Sequence, residues 1–124
     1  MHVKEIMLAK PIAVDEDITV AELFSKFLKA RQESFLVMKN KKFSGIVSVK
    51  NLKEIPKEEW NKKKVSDIMA RHVKTLTPED NAFNALMIML ENNLDIIPVR
   101  KDGKIAGVLS RESIIHYIRI KNAL

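Results

Sequence analysis

Cysteine is absent from the 124-residue chain, which excludes disulfides and thiolate metal sites. Glycine occurs three times and proline four, too few for a glycine-rich phosphate loop or a low-complexity tract. No apolar run approaches the roughly 20 residues of a membrane span. Charges within "MHVKEIMLAK" interrupt the apolar core a signal peptide needs, so a soluble, cytoplasmic protein is expected. His2, His72 and His116 lie far apart without ligand-like spacing, and no metal site is expected. Ser, His and Asp are present, but nothing resembles a nucleophile elbow. The chain is not expected to be an enzyme.

Apolar residues make up 46% of the chain, enough for a core and too many for a disordered segment. Net charge is +6, from 22 basic and 16 acidic residues. The basic residues are scattered, and the run Lys62 to Lys64 falls in an expected linker. The missing basic stripe argues against a nucleic-acid partner.

The chain carries an internal repeat. Gly45 and Gly107 each open a Gly-apolar-apolar-Ser stretch, 107 − 45 = 62 residues apart. The same offset lays Val3, Ile6 and Met7 on Val65, Ile68 and Met69, Thr19 on Asn81, Val37 on Val99 and Ser48 on Ser110. The chain therefore divides into two repeats, 1–56 and 63–124, joined by a linker at 57–62. Each predicts an α+β pattern of strand, helix, strand, strand, helix. Extended segments are expected at Ile12–Val14 and Val73–Leu76. Thr19 and Asn81 are natural helix caps, and Glu22 completes a capping box with Thr19. Val20, Leu23, Phe24, Phe27 and Leu28 form the first apolar stripe; Ala82, Ala85, Leu86, Met89 and Leu90 form the second. Hairpins are expected at Phe35–Met38 with Phe43–Val49 and at Ile96–Val99 with Ile105–Ser110. Asn40 suits a left-handed turn position. The last helix of the first repeat is cut short by Pro56. A lone repeat of this size buries little, so the two are expected to pack sheet to sheet.

The segments "VSDIM", "TLTPEDNAFNALMIMLENN" and "DIIPVRKDGKIAGVLSRESI", with "VKEIM", "AVDEDITVAELFSKFL" and "FSGIVSVKNL" in the first repeat, resemble a tandem pair of CBS (cystathionine-beta-synthase-type) domains, a Bateman module. The resemblance covers nearly the whole chain. It implies a pseudo-two-fold pair of β-α-β-β-α units and two clefts for an adenosine-containing ligand such as AMP, ADP, ATP or S-adenosylmethionine. It also implies a regulatory role, a homodimer, and a fused or associated effector protein. The linker "LKEIPKEEWNKKKVSDIM" is similar to that of CBS pairs on site-2-protease-like membrane metalloproteases. Without a zinc motif or a span, this chain would be the regulatory tail of such a protein, or a stand-alone module.

The family motif, Gly-apolar-x-Ser/Thr-x-x-Asp, puts a hydroxyl and free amides at a helix start to meet a ligand, with a carboxylate for the ribose. Here Ser48 and Ser110 match, while the aspartate is Asn51 in one repeat and Ser113 in the other. The resemblance draws one cleft from Ser48, Lys50 and Asn51 facing Lys74, Thr75, Ile96, Ile97 and Pro98. It draws the other from Ser110, Arg111 and Ser113 facing Ile12, Ala13, Ser34 and Phe35. Glu33 and Asp95 stand where some relatives carry a phosphate-binding cation, which favours S-adenosylmethionine, a neutral adenosine derivative or no ligand over a polyphosphate. Both serines admit a plainer reading as helix caps, and Asn51 and Arg111 one as surface residues. A structural dimerisation module with degenerate clefts is the alternative function.

Overall fold

The computed structural model describes residues 1–124. Strand β1 (Ala13–Asp15), helix α1 (Val20–Ala30) and strands β2 (Ser34–Lys39) and β3 (Lys42–Ser48) come first. Short 3-10 turns at Val49–Leu52 and Lys57–Glu59 lead to helix α2 (Val65–Ile68). Helix α3 (Ala82–Glu91), strands β4 (Ile96–Lys101) and β5 (Lys104–Ser110) and helix α4 (Arg111–Ala123) complete the chain, and a 3-10 turn at Val3–Glu5 opens it. The mixed α+β pattern arises from local signals. The Thr19 hydroxyl accepts from the Glu22 amide at 3.1 Å, and the Glu22 carboxylate accepts from the Thr19 amide at 3.2 Å. Asn81 caps α3 by accepting from the Asn84 amide at 3.0 Å.

The chain packs as two compact units, and their limits differ from those of the repeats. A central unit spans Ile12–Val73; a terminal unit joins Met1–Pro11 to Lys74–Leu124. Each repeat therefore lends its opening segment to the unit built mainly from the other.

In the central unit β1 pairs parallel with β2, and β2 pairs antiparallel with β3. Val20, Leu23 and Phe27 of α1 close over Val14, Phe35, Val37 and Val47. The lent segment seals this core with Val65 and Met69. Its backbone is tied down where the Val65 amide donates to the Ile18 carbonyl at 3.0 Å and Ile46 and Ala70 exchange bonds of 3.0 and 2.8 Å. In the terminal unit β4 and β5 form a two-stranded sheet. Val3, Ala82, Ala85, Met89, Ile97, Val99, Leu109 and Ile114 make its core. Leu8 and Val108 exchange bonds of 2.9 and 3.0 Å, and the Val3 amide donates to the Asp80 carbonyl at 2.8 Å.

Two glycines permit these joins. A Cβ at Gly45 would collide with the Ala70 carbonyl oxygen, and one at Gly107 would stand 2.6 Å from that of Leu8. The repeat survives in fine detail. Both hairpins carry a register shift at matching places, Val37/Met38 and Val99/Arg100. Their turns use positive φ at Asn40 (50°) and Lys41 (66°) and at Asp102 (52°) and Gly103 (77°).

One element departs from expectation, and one is cut short as expected. The extended segment Val73–Leu76 makes only a bridge from Leu76 to Val99, because Asp80 turns the chain at once by accepting from the Thr77 amide at 2.8 Å. The first repeat's last helix shrinks to the turn Val49–Leu52, whereas its counterpart α4 runs 13 residues; proline cannot continue a helix interior.

Gly45→Ala should lower unfolding free energy by at least about 2 kcal/mol, because the obstruction is backbone and cannot rotate away. Gly103→Ala, with nothing near its Cβ, should cost only the about 1 kcal/mol of a left-handed backbone. Urea denaturation of the two variants checks the order, and equal losses would contradict it.

Candidate functional site

Both units place small polar side chains where the last strand runs into a helical turn. In the central unit Ser34 pairs with Ser48 and Phe35 with Val47 across β2 and β3. The Val49 amide donates to the Glu33 carbonyl at 2.9 Å, which holds the turn against the start of β2. The Asn51 Oδ1 accepts from the Ser48 amide at 2.8 Å and its hydroxyl at 3.3 Å. Asn51 thus acts as a local cap. Lys50 is exposed and Ser34 buried. Ala13 lies beside Leu36 in the β1–β2 pair, with Ile12 exposed just before it. The Phe35 ring is spent on the core, stacked on Phe27 at 5.0 Å.

The terminal unit repeats the layout. Ile96 pairs with Ser110, Ile97 with Leu109 and Pro98 with Val108. Ile97 is a core residue. The Leu76 amide donates to the Pro98 carbonyl at 2.9 Å, so Lys74 and Thr75 run up to the same strand. The Ser110 hydroxyl accepts from the Ser113 amide at 3.0 Å and lies 2.6 Å from the Ser113 hydroxyl. The Arg111 guanidinium turns back onto the Leu94 carbonyl, donating at 3.2 Å from Nε and at 2.5 Å from a terminal nitrogen.

This arrangement limits the chemistry. A helix start attracts phosphate through unbonded amides. At α4 the Arg111 amide already donates to the Asp95 carbonyl at 2.9 Å and the Ser113 amide to Ser110. At this helix start the Arg111 guanidinium, which could meet a phosphate, is folded onto a carbonyl. What remains at α4 is hydroxyls, carbonyls and apolar walls, which favour a ligand without phosphate groups. Sequence reasoning weighed Glu33 and Asp95 only by their carboxylates. It missed that their carbonyls clamp the two turns; the signal was their matching place in the repeats, 95 − 33 = 62.

The carboxyl of Glu16 is held below its ordinary range, chiefly by a hydrogen bond from Ser44 and then by Lys39, whose Nζ lies 3.3 Å from it. Glu5 is lowered as well, through the His2 amide at 2.6 Å. A carboxylate depressed in the folded state stabilises the fold above its unfolded pKa of roughly 4.3, and that contribution fades as pH falls through the folded value. Glu16→Gln should therefore destabilise the protein at neutral pH and flatten the loss of stability below pH of about 4. Denaturation midpoints across pH decide this; an unchanged acid limb would contradict it.

A family model described as CBS domain matches residues 3–58 and again 65–120. Protein MJ0188 of Methanocaldococcus jannaschii is 28% identical over 118 residues, covering 93% of this chain and 43% of that protein. The chain spans about two fifths of the length of the curated relatives it matches. Among solved structures, the CBS domain pair of protein MJ0100, in complex with 5-methylthioadenosine and S-adenosyl-L-methionine, superposes with a TM-score of 0.82 at 23% identity, covering 98% of each chain. The CBS domain of a bacterial CNNM/CorC family Mg2+ transporter, in complex with ATP, gives 0.84 at 19% identity, covering 96% of this chain and 87% of that one. These likenesses carry the fold.

Proposed function

The chain belongs to the CBS domain family, and from that premise we propose that it is a regulatory module, without catalysis of its own, that binds an adenosine-containing ligand. The ligand-binding residues are proposed to be Ser48, Lys50, Asn51, Ile12, Ala13, Ser34 and Phe35 in the central unit and Ser110, Arg111, Ser113, Lys74, Thr75, Ile96, Ile97 and Pro98 in the terminal unit. The observation that carries the reading is the strand-end serine with a polar partner three residues on, built twice in the same register. Solved pairs of the family in complex with S-adenosylmethionine and with ATP support the adenosine class.

Within that class the ligand is S-adenosylmethionine or a neutral adenosine derivative. In the terminal unit phosphate finds the Arg111 and Ser113 amides engaged and the Arg111 guanidinium turned away. Binding would act by favouring one of two arrangements of a fused or associated effector, to the extent that affinity differs between them. Calorimetry and thermal melts with S-adenosylmethionine, AMP and ATP test this. Saturation by S-adenosylmethionine should stabilise the protein, by roughly 2.7 kcal/mol at 100 times the dissociation constant, with ATP weaker. Asn51→Asp keeps the acceptor that caps the turn and supplies the missing ribose carboxylate. It should tighten binding about tenfold, the worth of one charge-assisted bond. No response to any of the three at millimolar concentration would defeat the reading.

A homodimerisation role is the second reading, favoured by the apolar residues left exposed on one unit: Phe83 (57%), Met87 (41%) and Leu90 (54%) on α3, with Ile115 (40%) and Ile120 (50%) on α4. Sedimentation should find a dimer that Leu90→Glu together with Ile120→Glu converts to a monomer; a monomeric parent would remove this reading.

A further inference from the structure

We propose that the central unit holds a second binding site, for a small amphipathic anion with an aromatic or alkyl body, one N–H or O–H donor and a single negative charge. The site is a cavity of about 780 Å³ between α1 and the turns after β3, within the 300–1,000 Å³ range of small-molecule pockets. The repeat explains why it is open. At the 62-residue offset Pro56 stands where Ile118 stands in α4, and Ile118 packs onto the terminal core. In the central unit the helical path ends at Leu52, ahead of Pro56, and the chain leaves α1 partly uncovered.

The walls are apolar. Phe27 and Leu52 form the buried floor, and Phe24, Leu28 and Val49 the exposed lip. Trp60 closes one side. Its Nε1 donates to the Ile55 carbonyl at 2.9 Å and its ring lies 5.2 Å from that of Phe24, so the wall is fixed. Two further observations define the occupant. Gln32 lines the cavity, and its Oε1 is buried without a hydrogen-bond donor, a cost that a ligand N–H or O–H would remove. Arg31, Lys53 and Lys57 line the same cavity against one acid, Glu33, which favours a negative head group. The same cations disfavour α4 of a second copy, whose later turns carry Arg119 and Lys121.

Anilinonaphthalene sulfonate, a fused-ring body with one N–H and one sulfonate, is the probe. Trp60 is the sole tryptophan and reports occupancy directly. Titration should quench its emission saturably and raise the melting temperature. Leu28→Glu, at a side chain 65% exposed, keeps the fold and should weaken binding at least about tenfold through lost apolar contact and added repulsion. Lys53→Glu with Lys57→Glu should weaken it most at low salt. Decyl sulfate should compete and decyltrimethylammonium should not. Absence of a saturable Trp60 response, binding indifferent to Leu28→Glu, or equal competition by the cation would overturn the proposal. So would conversion of a dimer to a monomer by Leu28→Glu, which would make this face a contact between copies.

Discussion

Two short backbone pairings hold the organisation of the protein: Ile46 with Ala70, and Leu8 with Val108. Each brings a segment of one repeat against a strand of the other, and each runs beside a glycine that leaves no room for a side chain. A repeat of this length has a sheet and too little apolar surface to cover it. Exchange of the opening segments supplies Val65 and Met69 to one core and Val3 to the other. Neither repeat completes a core without the other.

The same constraint places the candidate ligand-binding side chains. β3 and β5 are fixed on one side by their hairpin partners and on the other by the lent segment. Their ends therefore emerge in equivalent positions, with Ser48 and Ser110 at the turns. Divergence between the repeats falls after those ends. One continues as α4; the other stops at Pro56, turns through Lys57–Glu59 and lays Trp60 beside α1. A duplication that keeps its strand ends and loosens the chain beyond them can retain one pair of sites while opening another.

Much of this was legible in the sequence because the signals were local. Thr19, Glu22 and Asn81 announce helix starts through bonds three residues long, and Asn40 announces a left-handed turn. The 62-residue offset exposed the repeat without any gap. The exchange of opening segments was not legible, since nothing in "VKEIM" or "VSDIM" says which core its valine enters. Nor was the engagement of the Arg111 amide, which depends on the Asp95 carbonyl arriving just ahead of β4. Pro56 was read correctly as a helix stop. Its consequence, a cavity beside α1, required knowing that Ile118 fills the matching place in the other unit.

Native-state hydrogen exchange of the whole chain tests the exchange of segments most directly. The amides of Leu8 and Ala70, close to the ends of lent segments, should exchange as slowly as those of Val37 and Val99 in the strand cores, because all four open only with global unfolding. Rapid exchange at Leu8 and Ala70 beside protected strands would show the lent segments to be loosely attached and would contradict the account.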